Sequence, residues 1–169
     1  PHYLHRRQRQ MCIRDRSLGI NILLGVVQNI TKLVDDNWAI EISEIHHKEK
    51  KDHPSGTALA LGASVAKGKK IDLEENKVID DPIIDAVDIN LTKIRKNVVR
   101  KKDDIGFSSY RKDGVIGDHS VIFSSENERI ALTHIAKNRN IFANGALKAA
   151  LWGQNKKPGL YSMQDVLGF

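Results

Sequence analysis

Apolar positions along the first half of the chain change period twice. Ile20, Leu23, Leu24, Val27, Ile30 and Val34 recur at helical spacing, so 19–34 reads as an amphipathic helix stopped by Asp35-Asp36-Asn37. Ile40 and Ile42 then alternate with Glu41 and Ser43, the mark of a strand, and that strand runs into His46-His47. Ser55-Gly56-Thr57 opens a second helix over 57–67, with Ser55 or Thr57 available as its cap. Residues 68–84 are polar and weakly patterned and read as a loop. Beyond them Val87, Ile89 and Leu91 alternate, then Ile105 and Phe107, then Val121 and Phe123, then Ile130, Leu132 and His134. These are three or four strands, with turns at Lys112-Asp113-Gly114 and near Glu126-Asn127. Asn140 is placed to cap a third helix reaching Leu151, and Ser162 a short terminal turn after the break at Pro158-Gly159. The expected fold class is α+β: a mixed, mostly four-stranded sheet with helices covering one face.

Composition narrows the picture. The 169 residues carry a net charge of +6 and 40% apolar content, enough for one domain with a core. Residues 1–16 hold five arginines against Asp15 alone, so +4 of the charge belongs to this leader and little to the remainder. It lacks an apolar h-region and any periodicity, and "MCIRDR" resembles translated sequencing adapter; 1–16 is therefore set apart from the fold. The one cysteine, Cys12, lies in it, so no disulfide framework is expected within a chain, in keeping with a reducing, cytoplasmic setting. No apolar run approaches the ~20 residues of a bilayer span, so no membrane partner is expected. Lys93-Ile94-Arg95-Lys96 and Arg100-Lys101-Lys102 lack interleaved aromatics and precede Asp103-Asp104, so they read as a solvated loop, not a nucleic-acid surface. No glycine-rich phosphate loop follows a strand.

Chemistry concentrates between Glu44 and Thr57. His46 and His47 end a strand, Lys50 follows three residues later, and Gly56-Thr57 sit at a helix N-terminus, where backbone N–H groups and the helix dipole favour an anion. A cation, imidazoles and such a terminus suit a carboxylated ligand that also exchanges a proton. Each part has a plain alternative: paired histidines in a core or on a surface, lysines on a solvated face, an ordinary helix start. The His46-His47 pair lacks a third convergent ligand at usual spacing, so no metal site is expected.

The run from Glu41 to Leu59, E-I-x-E-x-H-H-x-x-K-x-D-x-P-S-G-T-A-L, resembles the signature of the 4-hydroxy-tetrahydrodipicolinate (dihydrodipicolinate) reductase family. The likeness continues through Ile105-Gly106-Phe107, Gly117-Asp118-His119, Glu128-Arg129-Ile130, Thr133-His134, Arg139 and Phe142 to Ala146, and ends at Gly159 to Leu167. It covers about 17–169. It implies a catalytic pair, His46 exchanging the proton and Lys50 as general acid. It further implies substrate contacts at His47, Gly56 and Thr57, and cofactor contacts at Arg139 and Phe142. It also implies NADPH or NADH as cofactor, a small dicarboxylate substrate, a place in diaminopimelate and lysine biosynthesis, and a homotetramer. By the same resemblance 17–138 is the substrate-binding and tetramerisation domain. The stretch 139–169 would pack on a Rossmann cofactor domain that this chain lacks, leaving it inactive alone. An oligomerisation module without catalysis is the alternative. Lys51 and His53 stand where the family resemblance implies variable or apolar residues, a departure that would raise positive potential around the site.

Overall fold

The computed structural model describes residues 16–85, 89–94 and 101–169. Helix α1 (Leu18–Thr31) starts where Ser17 accepts the Ile20 N–H at 3.3 Å. Strand β1 (Ala39–His46) follows, then α2 (Gly56–Lys69), whose cap is Ser55 through the Ala58 N–H at 3.2 Å. The left-handed backbone of Lys70 ends α2.

The stretch expected to be a loop is ordered. It holds a single-turn helix α3 (Leu73–Asn76), capped by Asp72, and two short strands, β2 (Lys77–Ile79) and β3 (Ile83–Ile84). Strands this short form because a neighbour supplies their hydrogen bonds. That neighbour is β4 (Ile105–Arg111), with which both pair in parallel. The expected strand at Val87, Ile89 and Leu91 falls partly outside the described residues at Val87. Ile89 and Leu91 form no strand, and Leu91 is instead buried against Ile45 and Tyr110.

Strands β5 (Asp118–Ser124) and β6 (Arg129–Ile135) complete a mixed six-stranded sheet of order β2-β4-β1-β5-β6, with β3 also on β4. Four long strands match the expected number, and β2 and β3 extend it. β1 is central, parallel to β4 and antiparallel to β5. Strand parity sorts its side chains: Ile40, Ile42, Glu44 and His46 point to one face, Glu41, Ser43 and Ile45 to the other. On the first face Ile40, Ile42, Ile105, Phe107, Val121 and Phe123 meet Leu23 and Val27 of α1 and Ala58, Leu61 and Val65 of α2. This is the core, and it carries the helices on one face as expected. Trp38 packs against its edge.

Helix α4 (Asn140–Gly153) begins at the residue expected to cap it, so its cap falls one residue earlier. Arg139 is the cap residue and makes no side-chain bond, while Asn138 Oδ1 accepts the Asn140 N–H at 2.8 Å. Only Gly145 of α4 is buried, and Leu147 and Leu151 are exposed. Gly145 is needed there because a Cβ would lie 1.5 Å from the Arg16 carbonyl oxygen. The final helix α5 (Met163–Leu167) opens with a capping box from Ser162 and Asp165. It docks on α1 through buried Met163 and through Gln164 Nε2, which donates to the Asn21 carbonyl at 2.7 Å.

Candidate active site

The hydrophobic rule gives way at the carboxyl ends of β1 and β4. On the helix-covered face, past Ile42 and Phe107, come Glu44, His46, Ser109 and Arg111, and from β5 comes His119. All are buried. Register explains the cluster: Glu44 pairs with Ser109 on one side and His119 on the other, and His46 with Arg111. Buried charge must be matched. The Glu44 carboxylate accepts the Ser55 N–H at 3.1 Å on both oxygens and the Ser109 hydroxyl at 2.9 Å. Arg111 Nη1 lies 3.6 Å from Glu44 Oε1. The Arg111 guanidinium donates to the carbonyls of Lys50, Asp52 and Tyr110 at 3.0, 2.8 and 2.8 Å. Glu44 therefore holds the start of α2, and Arg111 holds the loop that carries Lys50.

Above this floor opens a cavity of about 590 Å³. It is lined by His46, His47, Lys50, Gly56, Thr57, Arg139 and Phe142, so every residue singled out in the sequence for chemistry meets in one place. Ser55, Gly117, His119 and His134 line it too. His119 and His134 are strand residues whose rings reach the cavity. Parity was the available signal, since His119 shares a face with Val121 and Phe123.

The charge of the site comes from lysine and arginine rather than imidazole. Burial, with the charges of Lys50 and Arg111 behind it, pushes His46 down to about 3. Burial holds His119 well below the usual histidine range, and lowers His134 as well. Burial also raises the Asp118 carboxyl. All three rings are thus neutral at pH 7. Lys50 Nζ donates to both Asp52 oxygens at 2.8 Å, and this hydrogen bond leads the causes that lower the Asp52 carboxyl. Lys48, exposed, is raised by hydrogen bonds first to Asp85 and then to Asp113. It ties the loop to the sheet edge.

A metal reading has one geometric point in its favour. Glu44, His46 and His119 bring three ligand-type atoms within 4.8 Å of one another, so a third convergent group exists, though with His46 alone of the pair. Arg111 and the Ser55 and Ser109 donors already satisfy the carboxylate, and a divalent ion would stand beside a guanidinium. The donor set fits a hydrogen-bonded cluster better than a metal centre.

Residues 19–167 match the family model described as "Dihydrodipicolinate reductase, C-terminus". The chain belongs to this family. Two curated relatives, both 4-hydroxy-tetrahydrodipicolinate reductases, show how far the likeness runs. That of Parvibaculum lavamentivorans is 50% identical over 153 residues, covering 90% of this chain and 52% of the relative. That of Rhodopseudomonas palustris (strain BisA53) is 51% identical over 153 residues, covering 90% and 51%. The dipicolinate-bound dihydrodipicolinate reductase of Paenisporosarcina sp. TG-14 shares the fold at a TM-score of 0.64 and 20% identity, covering 89% of this chain and 51% of that one. This dihydrodipicolinate reductase family member thus spans about half the length of the curated relatives it matches.

Proposed function

We propose that this chain is the substrate-binding and tetramer-forming part of an enzyme that reduces 4-hydroxy-tetrahydrodipicolinate to tetrahydrodipicolinate with NADPH or NADH. Its setting would be cytoplasmic lysine and diaminopimelate biosynthesis. The observation that carries the reading is the cavity, in which Lys50, the α2 N-terminus at Gly56-Thr57, and the His46-His47 pair share one wall system. A dicarboxylate fits this electrostatics: the positive helix end and Lys50 supply complementary charge, and the neutral rings supply hydrogen bonds. Lys50 would exchange Asp52 for a ligand carboxylate, an exchange between like acceptors. His47 would contact the ring. His46, neutral, takes part in moving the proton, and Lys50 is the general acid.

Arg139 and Phe142 belong to the chain leading into and beginning α4, and they line the same cavity. A flat aromatic and a guanidinium suit the nicotinamide end of the cofactor, which supplies hydride when bound. The exposed edge strand β6, with Ile130 and Ile135 at its two ends, supports a homotetramer built on this sheet.

Titration of the chain with pyridine-2,6-dicarboxylate, followed by the His46 and His47 ring signals in NMR, tests the proposal. Saturable shifts are expected, and affinity should drop at least about tenfold in His47→Ala and in Lys50→Ala, the loss of one charge-assisted contact. A folded chain whose ring signals stay still at saturating dicarboxylate would exclude this reading. Light scattering at the mass of four chains is the expected result for assembly.

A further inference from the structure

His46 presents its two ring nitrogens to different surroundings. Nδ1 is buried and makes no hydrogen bond among the described residues, and it lies 3.5 Å from Glu44 Oε2. Nε2 abuts Gly117, whose absent side chain leaves it beside the cavity: a Cβ there would lie 2.9 Å from it. A neutral imidazole carries one N–H and one lone pair, and its neighbours decide which nitrogen holds which. A lone pair on Nδ1 would oppose a carboxylate oxygen. An N–H there would be attracted to it.

Glu44 is held for this purpose from its other side. Ser109 donates to Oε1, Arg111 stands 3.6 Å from Oε1, and the Ser55 N–H is shared between both oxygens. Oε2 is left turned toward the imidazoles, with His119 Nε2 at 3.6 Å. His119 Nε2 has its own closer partner, the Ser55 hydroxyl at 3.1 Å. We infer that Glu44 is a positioning residue that fixes neutral His46 as the Nδ1–H tautomer, so that the Nε2 lone pair is offered to the cavity. What Nε2 meets there rests on the dicarboxylate reading; the tautomer does not.

Nitrogen-15 NMR of the imidazoles in the full chain at neutral pH decides the matter. His46 should show the Nδ1–H pattern. In Glu44→Gln the Ser55 N–H and Ser109 hydroxyl keep the amide oxygen on the Oε1 side, so the amide NH2 faces Nδ1 and the proton should move to Nε2. His119→Ala should leave the Nδ1–H tautomer in place. An Nε2–H pattern in the unsubstituted chain overturns the inference, and this measurement stands even where Glu44→Gln fails to fold. So does an Nδ1–H pattern retained by a folded Glu44→Gln variant, or a flip caused by His119→Ala alone. Adding pyridine-2,6-dicarboxylate to the same samples keeps the two ideas apart. An Nδ1–H ring that never responds to the ligand leaves the Glu44 role standing and removes the dicarboxylate reading. An Nε2–H ring that does respond gives the reverse.

Discussion

Gly117 fixes how close the chain runs beneath His46. Because a Cβ would lie 2.9 Å from the ring nitrogen, Gly117→Ala is expected to tilt the imidazole and cut dicarboxylate affinity about tenfold while the chain stays folded. Calorimetric titration beside circular dichroism checks both halves. Ser55 serves two ends at once, as cap of α2 and as partner of His119. Ser55→Ala should destabilise by about 1–3 kcal/mol, measured by urea unfolding. His46, His47 and Lys50 were legible in the sequence because their spacing resembles a family pattern. Glu44 and Arg111 were not assigned roles, since a charged side chain in a sequence is first read as exposed. Only the register shows that they neutralise one another inside.

Among the elements, α1, β1, β5 and β6 could be read from periodicity alone, because the apolar positions of each recur toward the helix-covered core. β2 and β3 could not. They are two or three residues long and exist through hydrogen bonds to β4, which no local pattern announces. Leu61 of α2 is fully buried in the core against the sheet; Leu61→Ala should cost about 2–5 kcal/mol in chemical denaturation. α4 lies at the opposite extreme. With Gly145 its only buried residue, its amides are expected to exchange hydrogen faster than those of β1 and β5. Equal protection would mean that something covers Leu147 and Leu151.

For the molecule as a whole, buried neutral histidines tie stability to pH. Their folded values are depressed, so the unfolded chain takes up protons first as pH falls below the ordinary histidine value of about 6.5. The stability they contribute is complete above that value and is lost on the way down toward about 3. Each histidine contributes up to about 1.4 kcal/mol per pH unit. Asp118, raised, works in the opposite direction at acid pH. Thermal melts between pH 7 and pH 4 should therefore shift steadily downward, and the slope should shrink in His119→Gln.

The alternation of β1 has a consequence for quality control during folding. Its even positions carry both the apolar contacts and the reactive groups, so a slip of one residue against β5 would turn Glu41 and Ser43 into the oily interior as it turned His46 out of the cavity. A chain that assembled its chemistry wrongly would be unable to stay folded. Errors in the candidate site are thereby policed by the same interactions that hold the fold.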